Sequence, residues 1–153
     1  MNGAGMAIAG AVSAAVFGGM MFAFSNFVIR AFTRVPASEA IRAMQAINRT
    51  VINPVFLLLF VGPGLLGVVV TAPAVWAGQV DVGWVLATWF YCVGVIAVTI
   101  TVNVPLNDAL AKLDADRPDA AELWRRYAVR WVRYNHVRSV AAVAAALAFL
   151  GAA

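Results

Sequence analysis

The chain has 153 residues, 63% of them hydrophobic and only 12% charged, with 11 Lys and Arg against 7 Asp and Glu for a net charge of +4. An ordinary soluble domain is roughly 45–50% apolar and about 25% charged. With a mean hydropathy of +0.87, the composition therefore excludes a conventional soluble enzyme and reads as an integral membrane protein, whose basic balance is a topology signal rather than a nucleic-acid footprint.

The first predicted span covers residues 4–30, where no side chain is charged before Arg30. That run exceeds the ~20 residues needed to cross about 30 Å of hydrocarbon. Ala11-Val12-Ser13-Ala14-Ala15 looks cleavable, but no Lys or Arg precedes the run, so a span is expected rather than a removed leader. Gly10, Ala14 and Gly18 recur every fourth residue and permit close approach of another helix, from within the chain or from a second copy.

Ile41, Met44 and Asn48 then share one face of an amphipathic helix expected along the membrane interface. Span two opens at Asn53-Pro54, a side-chain cap followed by a proline in the first turn, and runs to about Trp76. Gly62-Pro63-Gly64 in its middle predicts a kink, with freed carbonyls that need partners from neighbouring helices.

Span three is predicted over 82–103, entered by Trp84 and Trp89 and stopped by Pro105. At 3.6 residues per turn Thr88, Cys92, Thr99 and Asn103 fall on one face. They read either as hydroxyl-mediated helix packing or as the wall of a cavity. Cys92 is the single cysteine, which excludes an internal disulfide and a cysteine-based metal cluster. Asn103 and Asn107 bracket the proline and Asp108 follows; the carboxamides either cap freed backbone groups or donate at the mouth of a cavity.

The last apolar run, 137–153, is near the lower limit for crossing, but the helical pattern from Glu122 to Arg138 leads straight into it. Trp124, Trp131, Asn135 and Arg138 form one stripe of that helix, with Arg126, Arg130 and Arg133 roughly opposite. At the membrane boundary an inward Arg138 needs an anion, a carbonyl or a partner such as Asp108. His136, the only histidine, points about 100° away from the stripe.

All eleven basic residues lie in two places, between spans one and two and from Lys112 to Arg138. The positive-inside rule places both connections in the cytoplasm and both termini outside, in the plasma (inner) membrane. The fold expected is all-α, a four-helix membrane bundle forming one transmembrane domain over 1–153, with an interfacial helix and a cytoplasmic extension of the fourth helix.

Four segments resemble a known family of small four-span membrane proteins, the anthrone-oxygenase-like family. They are Phe22-Ala23-Phe24-Ser25-Asn26-Phe27, Ala43-Met44-Gln45-Ala46-Ile47-Asn48, Asn103-Val104-Pro105-Leu106-Asn107, and Trp131 through Asn135-His136-Val137-Arg138. The resemblance implies oxidation of a hydrophobic anthrone or other polycyclic phenol by dioxygen without a metal or other cofactor. It assigns hydrogen bonding to substrate to Asn48, Asn103, Asn107 and Asn135, ring contact to Trp131, and enolate stabilisation to Arg138. Proton removal falls to His136 or Asp108. Haem on a single axial His136 is the alternative cofactor reading. The alternative function is a non-catalytic accessory subunit or a lipid or quinone binder. The partners expected are membrane lipids, a hydrophobic small molecule and a second copy or larger membrane complex, with no nucleic acid.

Overall fold

The computed structural model describes residues 3–153; the two residues before Gly3 lie outside the described part. Five helices follow in chain order: α1 (Gly3–Phe32), α2 (Ala37–Thr50), α3 (Pro54–Trp76), α4 (Val82–Ala111) and α5 (Ala120–Gly151). Among the described residues there is no strand. Helices α1, α3 and α4 are long and apolar enough to cross a membrane. Helix α5 is not among them, because Asn135, His136 and Arg138 interrupt its apolar half; a fourth crossing by that half is our proposal. What supports it is burial of Ala142, Ala145 and Phe149 in the bundle.

The cap expected at Asn53 forms, and Asp81, not singled out from sequence, makes a second one. Asn53 Oδ1 accepts the Phe56 amide at 3.0 Å and Asp81 Oδ1 accepts that of Trp84 at 3.1 Å, each removing one orphan donor from a helix start. Between them the chain turns at Gly78, whose φ of +68° lies in the left-handed region. Pro63 has no N–H for the carbonyl of Leu59 four residues earlier. The Tyr91 hydroxyl donates to that carbonyl at 2.6 Å, so the missing bond is replaced from α4.

Pro105 does not stop the third span as expected. Helix α4 continues to Ala111, because residues Thr99–Asn103 are π-helical and the Val104 amide bonds back to the Thr99 carbonyl five residues earlier. The α-helical register resumes with Pro105 in a first turn, where an absent N–H costs little. A second π-helical stretch, Phe90–Ala97, precedes it. The wider turns alter the inward face: Tyr91, Val95, Thr99 and Asn103 are buried at four-residue spacing, while Thr88 and Cys92 are half-buried next to Gly67 and Gly64 of α3.

The small residues of α1 serve an internal neighbour. A Cβ on Gly10 would sit 3.1 Å from the Phe149 ring, and one on Gly18 3.1 Å from the Ala142 methyl of α5. Helices α3 and α4 approach closely at Gly67, where a Cβ would stand 2.5 Å from Thr88 Oγ1. That hydroxyl is fixed by the Trp84 carbonyl at 2.7 Å and Thr71 Oγ1 at 3.0 Å. Gly67→Val is accordingly expected to destabilise the protein by about 1–3 kcal/mol, read as a lower unfolding midpoint in detergent.

At the end of the bundle that carries the basic connections, α2 packs across α4 and α5. Gln45 Nε2 donates to the carbonyls of Leu110 and Leu113, at 2.9 and 3.0 Å, satisfying acceptors left open where α4 ends. Arg42 pairs with Asp116 in the exposed connection. Ile41, Met44, Leu110, Trp124 and Trp131 form the apolar cluster beneath. A second cluster, around Phe17, Tyr91 and Val95, lies further along the bundle.

Candidate active site

Between those clusters lies a polar layer of buried Ser25, Thr99, Asn103, Asn135 and Arg138. Placing polar groups there requires mutual hydrogen bonds, since each unpaired one is costly in such surroundings. Asn135 is fully buried, and its Nδ2 donates to the Met21 carbonyl and to Ser25 Oγ, both at 2.5 Å. Its Oδ1 accepts from Arg138 Nη2. Arg138 Nη1 donates to Thr99 Oγ1 at 3.0 Å, and the guanidinium carbon lies 5.7 Å from the centre of the Trp131 ring, a cation–π arrangement.

Arg138 is only 4% exposed and pairs with no carboxylate among the described residues. The ion pairs found there, Arg42–Asp116, Arg117–Asp119 and Glu122 with Arg125 and Arg126, all lie at the surface. The Arg138 Nε has no hydrogen-bond partner, and neither does either amide atom of Asn103, which is 1% exposed.

These groups border a cavity of about 260 Å³ to which all five helices contribute, near the lower end of the range for small-molecule clefts. Its polar wall is Asn48, Thr99, Asn103, Asn107 and Arg138, with Trp131 beside them. Met20, Met21, Phe24, Met44, Phe56 and Phe60 supply apolar wall. Ile52, Leu57 and Val104 also line it and are exposed, which makes its mouth apolar. Asn107 Oδ1 accepts from the Tyr127 hydroxyl at 2.9 Å and from Trp131 Nε1 at 3.0 Å. Two donors on the carbonyl side fix which way the carboxamide faces and leave Nδ2 for a ligand.

The cavity thus gathers Asn48, Asn103, Asn107, Trp131 and Arg138. Asn135 is adjacent but does not line it; its hydrogen bonds hold Arg138 instead of reaching the space a ligand would fill. The two expected proton acceptors are not brought there. His136 is exposed beside Trp89, Phe90 and Val137 on the outer surface, as its 100° offset from the stripe requires. Asp108 is exposed and forms no pair with Arg138 among the described residues.

The anthrone oxygenase family model matches residues 45–148, more than half of the chain. The chain belongs to the anthrone oxygenase family. No curated protein and no solved structure matches it at a significant level. The matched stretch carries every lining residue of this oxygenase-family cavity from α3, α4 and α5, and Asn48 of α2; α1 adds Met20, Met21 and Phe24 from outside it.

Tyr127 is the main participant not singled out from sequence. Burial pushes its phenol well above the ordinary tyrosine range, opposed by the Asn48 carboxamide and the Arg138 charge, so it remains a hydrogen-bond donor at neutral pH. Its position three residues after Trp124 and four before Trp131 gave the only signal, a place on the inward side of α5.

Proposed function

We propose that this membrane protein oxidises a hydrophobic anthrone-type, or other polycyclic phenolic, substrate with dioxygen in the cavity between its helices, without a metal. The observation that carries the reading is a buried guanidinium with no carboxylate partner, set beside an unpartnered carboxamide at one wall of an otherwise apolar chamber. Such a wall suits a ring system that is greasy over most of its area and anionic at one oxygen. The exposed apolar mouth suits entry from lipid.

In the proposed reaction the anthrone enolate adds dioxygen at its methylene carbon, forming a C–O bond and a peroxide anion. Loss of the remaining C–H proton and cleavage of the O–O bond then give the quinone carbonyl, and hydroxide leaves. The methylene carbon gives up four electrons, and the dioxygen becomes one carbonyl oxygen and one water. Arg138 and Asn103 hold the enolate oxygen, Asn107 Nδ2 and Asn48 bind other ring oxygens, and Trp131 covers a ring face. Support for metal-free chemistry comes from the donor set: among the described residues no three His, Cys, Asp or Glu side chains gather as a metal site, and amides with a guanidinium are poor ligands. We further propose that the basic end faces the cytoplasm, in keeping with the charge bias of the connections.

The test is oxygen uptake by purified protein in detergent, with anthrone as substrate and one quinone formed per dioxygen consumed. Asn103→Leu is expected to lower kcat/KM about 10- to 100-fold, in the range of a lost hydrogen bond to a charged group. Its unfolding midpoint should hold or rise, since two unsatisfied buried atoms disappear. An unchanged rate in that variant removes Asn103 from the site, and a wild-type rate no greater than the uncatalysed one removes the activity.

A further inference from the structure

We propose that the cavity takes its ligand as an anion formed before entry: the chain supplies the countercharge but no base. This rests on the oxygenase reading for the identity of the substrate, though not for its charge.

A cation buried in low dielectric without a partner is strongly disfavoured. The bonds from Arg138 to Asn135 and Thr99 are to neutral groups, so they fix the guanidinium without neutralising it. A neutral ring system would leave that charge uncompensated, whereas a phenolate or enolate provides the missing half of an ion pair in a space shaped by its apolar rings.

The proton, meanwhile, has nowhere to go inside. Among the described residues no carboxylate, imidazole, thiol or amine lines the cavity, and Arg138 is the only charged one that does. Among the described residues, α1, α2 and α3 bring no titratable side chain to face Arg138; α4 brings Tyr91 and α5 brings Tyr127. Each phenol is itself a donor, Tyr91 to the Leu59 carbonyl and Tyr127 to Asn107 Oδ1, and neither lines the cavity. His136 and Asp108 face outward. The substrate therefore gives its proton to water at the membrane surface, and the anion then moves in against Arg138. The chemistry balances without an internal base: enolate plus dioxygen gives quinone plus hydroxide, and that hydroxide combines with the proton released outside.

A nitronaphthol separates this from its rivals, because its absorption distinguishes phenol from phenolate. Purified protein is titrated anaerobically with 4-nitro-1-naphthol across pH. Below the dye's own pKa the bound form should show the phenolate spectrum, with affinity rising about tenfold per pH unit and levelling above that pKa. Arg138→Lys should retain the phenolate signature and Arg138→Gln should lose it. The proposal is overturned by a bound spectrum of the neutral phenol with affinity flat below the pKa, by a phenolate signature that survives in Arg138→Gln, or by no binding at all. Anthrone oxidation in the same wild-type sample separates the two readings. Anion binding without oxidation supports this inference and ends the oxygenase reading, while oxidation with neutral binding does the reverse.

Discussion

Replacing Arg138 with glutamine is expected to lower kcat/KM for anthrone oxidation by about 10²–10³, the usual scale of losing preorganised electrostatic stabilisation of a developing oxyanion. Glutamine keeps a donor and loses the charge, so the drop measures the charge. Lysine at the same place keeps the charge but not the planar fork that bonds Asn135 and Thr99 at once. It should recover part of the rate, and the ratio of the two variants divides electrostatics from geometry. Stability should move the other way, because Arg138→Gln removes a buried cation that no carboxylate offsets. A variant that is both slower and harder to unfold is the outcome this structure demands. Equal rates in Arg138→Gln and wild type would end the assignment.

The second large effect is expected at Asn135, and it is structural first. Asn135→Ala deletes three hydrogen bonds at once, leaving the Met21 carbonyl, Ser25 Oγ and Arg138 Nη2 without their partner in a fully buried layer. At about 1–3 kcal/mol for each buried group left unsatisfied, and allowing for the alternative bond Ser25 Oγ already makes to the Met21 carbonyl, a loss of about 2–4 kcal/mol is expected. It would be read as a reduced denaturation midpoint in detergent. Activity falls as well, because Arg138 loses the oxygen that orients it. The contrast with Asn103→Leu is diagnostic: one carboxamide holds the helices together, whereas the other faces the cavity unpartnered and should be dispensable for folding.

That contrast also marks how far the sequence can be read. The start of span two was legible because it depends on local chemistry: Asn53 caps its helix through a contact within three residues, whereas the like cap by Asp81 was there to be read and was not singled out. The inward stripe of α5 was legible because a regular α-helix keeps its period over Trp124, Trp131, Asn135 and Arg138, all of which are buried. The face of α4 was legible only in its second half, at buried Thr99 and Asn103. Its two π-helical stretches change the number of residues per turn, and no residue type announces that change, so 3.6-fold spacing pointed to Thr88 and Cys92 where Tyr91 and Val95 are buried. Pro105 misled for the same reason, since the wide turn before it lets the helix pass through a residue that ordinarily ends one.

Within the site, composition identified the polar residues but not their division of labour. Asn103 and Asn135 are the same side chain at a similar depth. Which one is saturated depends on Met21 and Ser25, more than a hundred residues away from Asn135 in the chain. The outward turn of His136 was foreseeable from its angular offset alone. The Tyr127–Asn107–Trp131 link required the distance between α4 and α5, which sequence spacing does not contain.

The bond from Tyr91 to the carbonyl exposed by Pro63 has a mechanical consequence. It ties α3 to α4 at mid-depth, and the close approach at Gly67 does so again one turn further along, so that side of the chamber is stiff. The compliant side is elsewhere: Met20, Met21 and Met44 are unbranched thioethers that rearrange at little cost. On the proposed function, guests of different breadth would be accommodated by methionine rotamers with the helices standing still, so that tolerance for ring shape would coexist with a fixed seat for the oxygen.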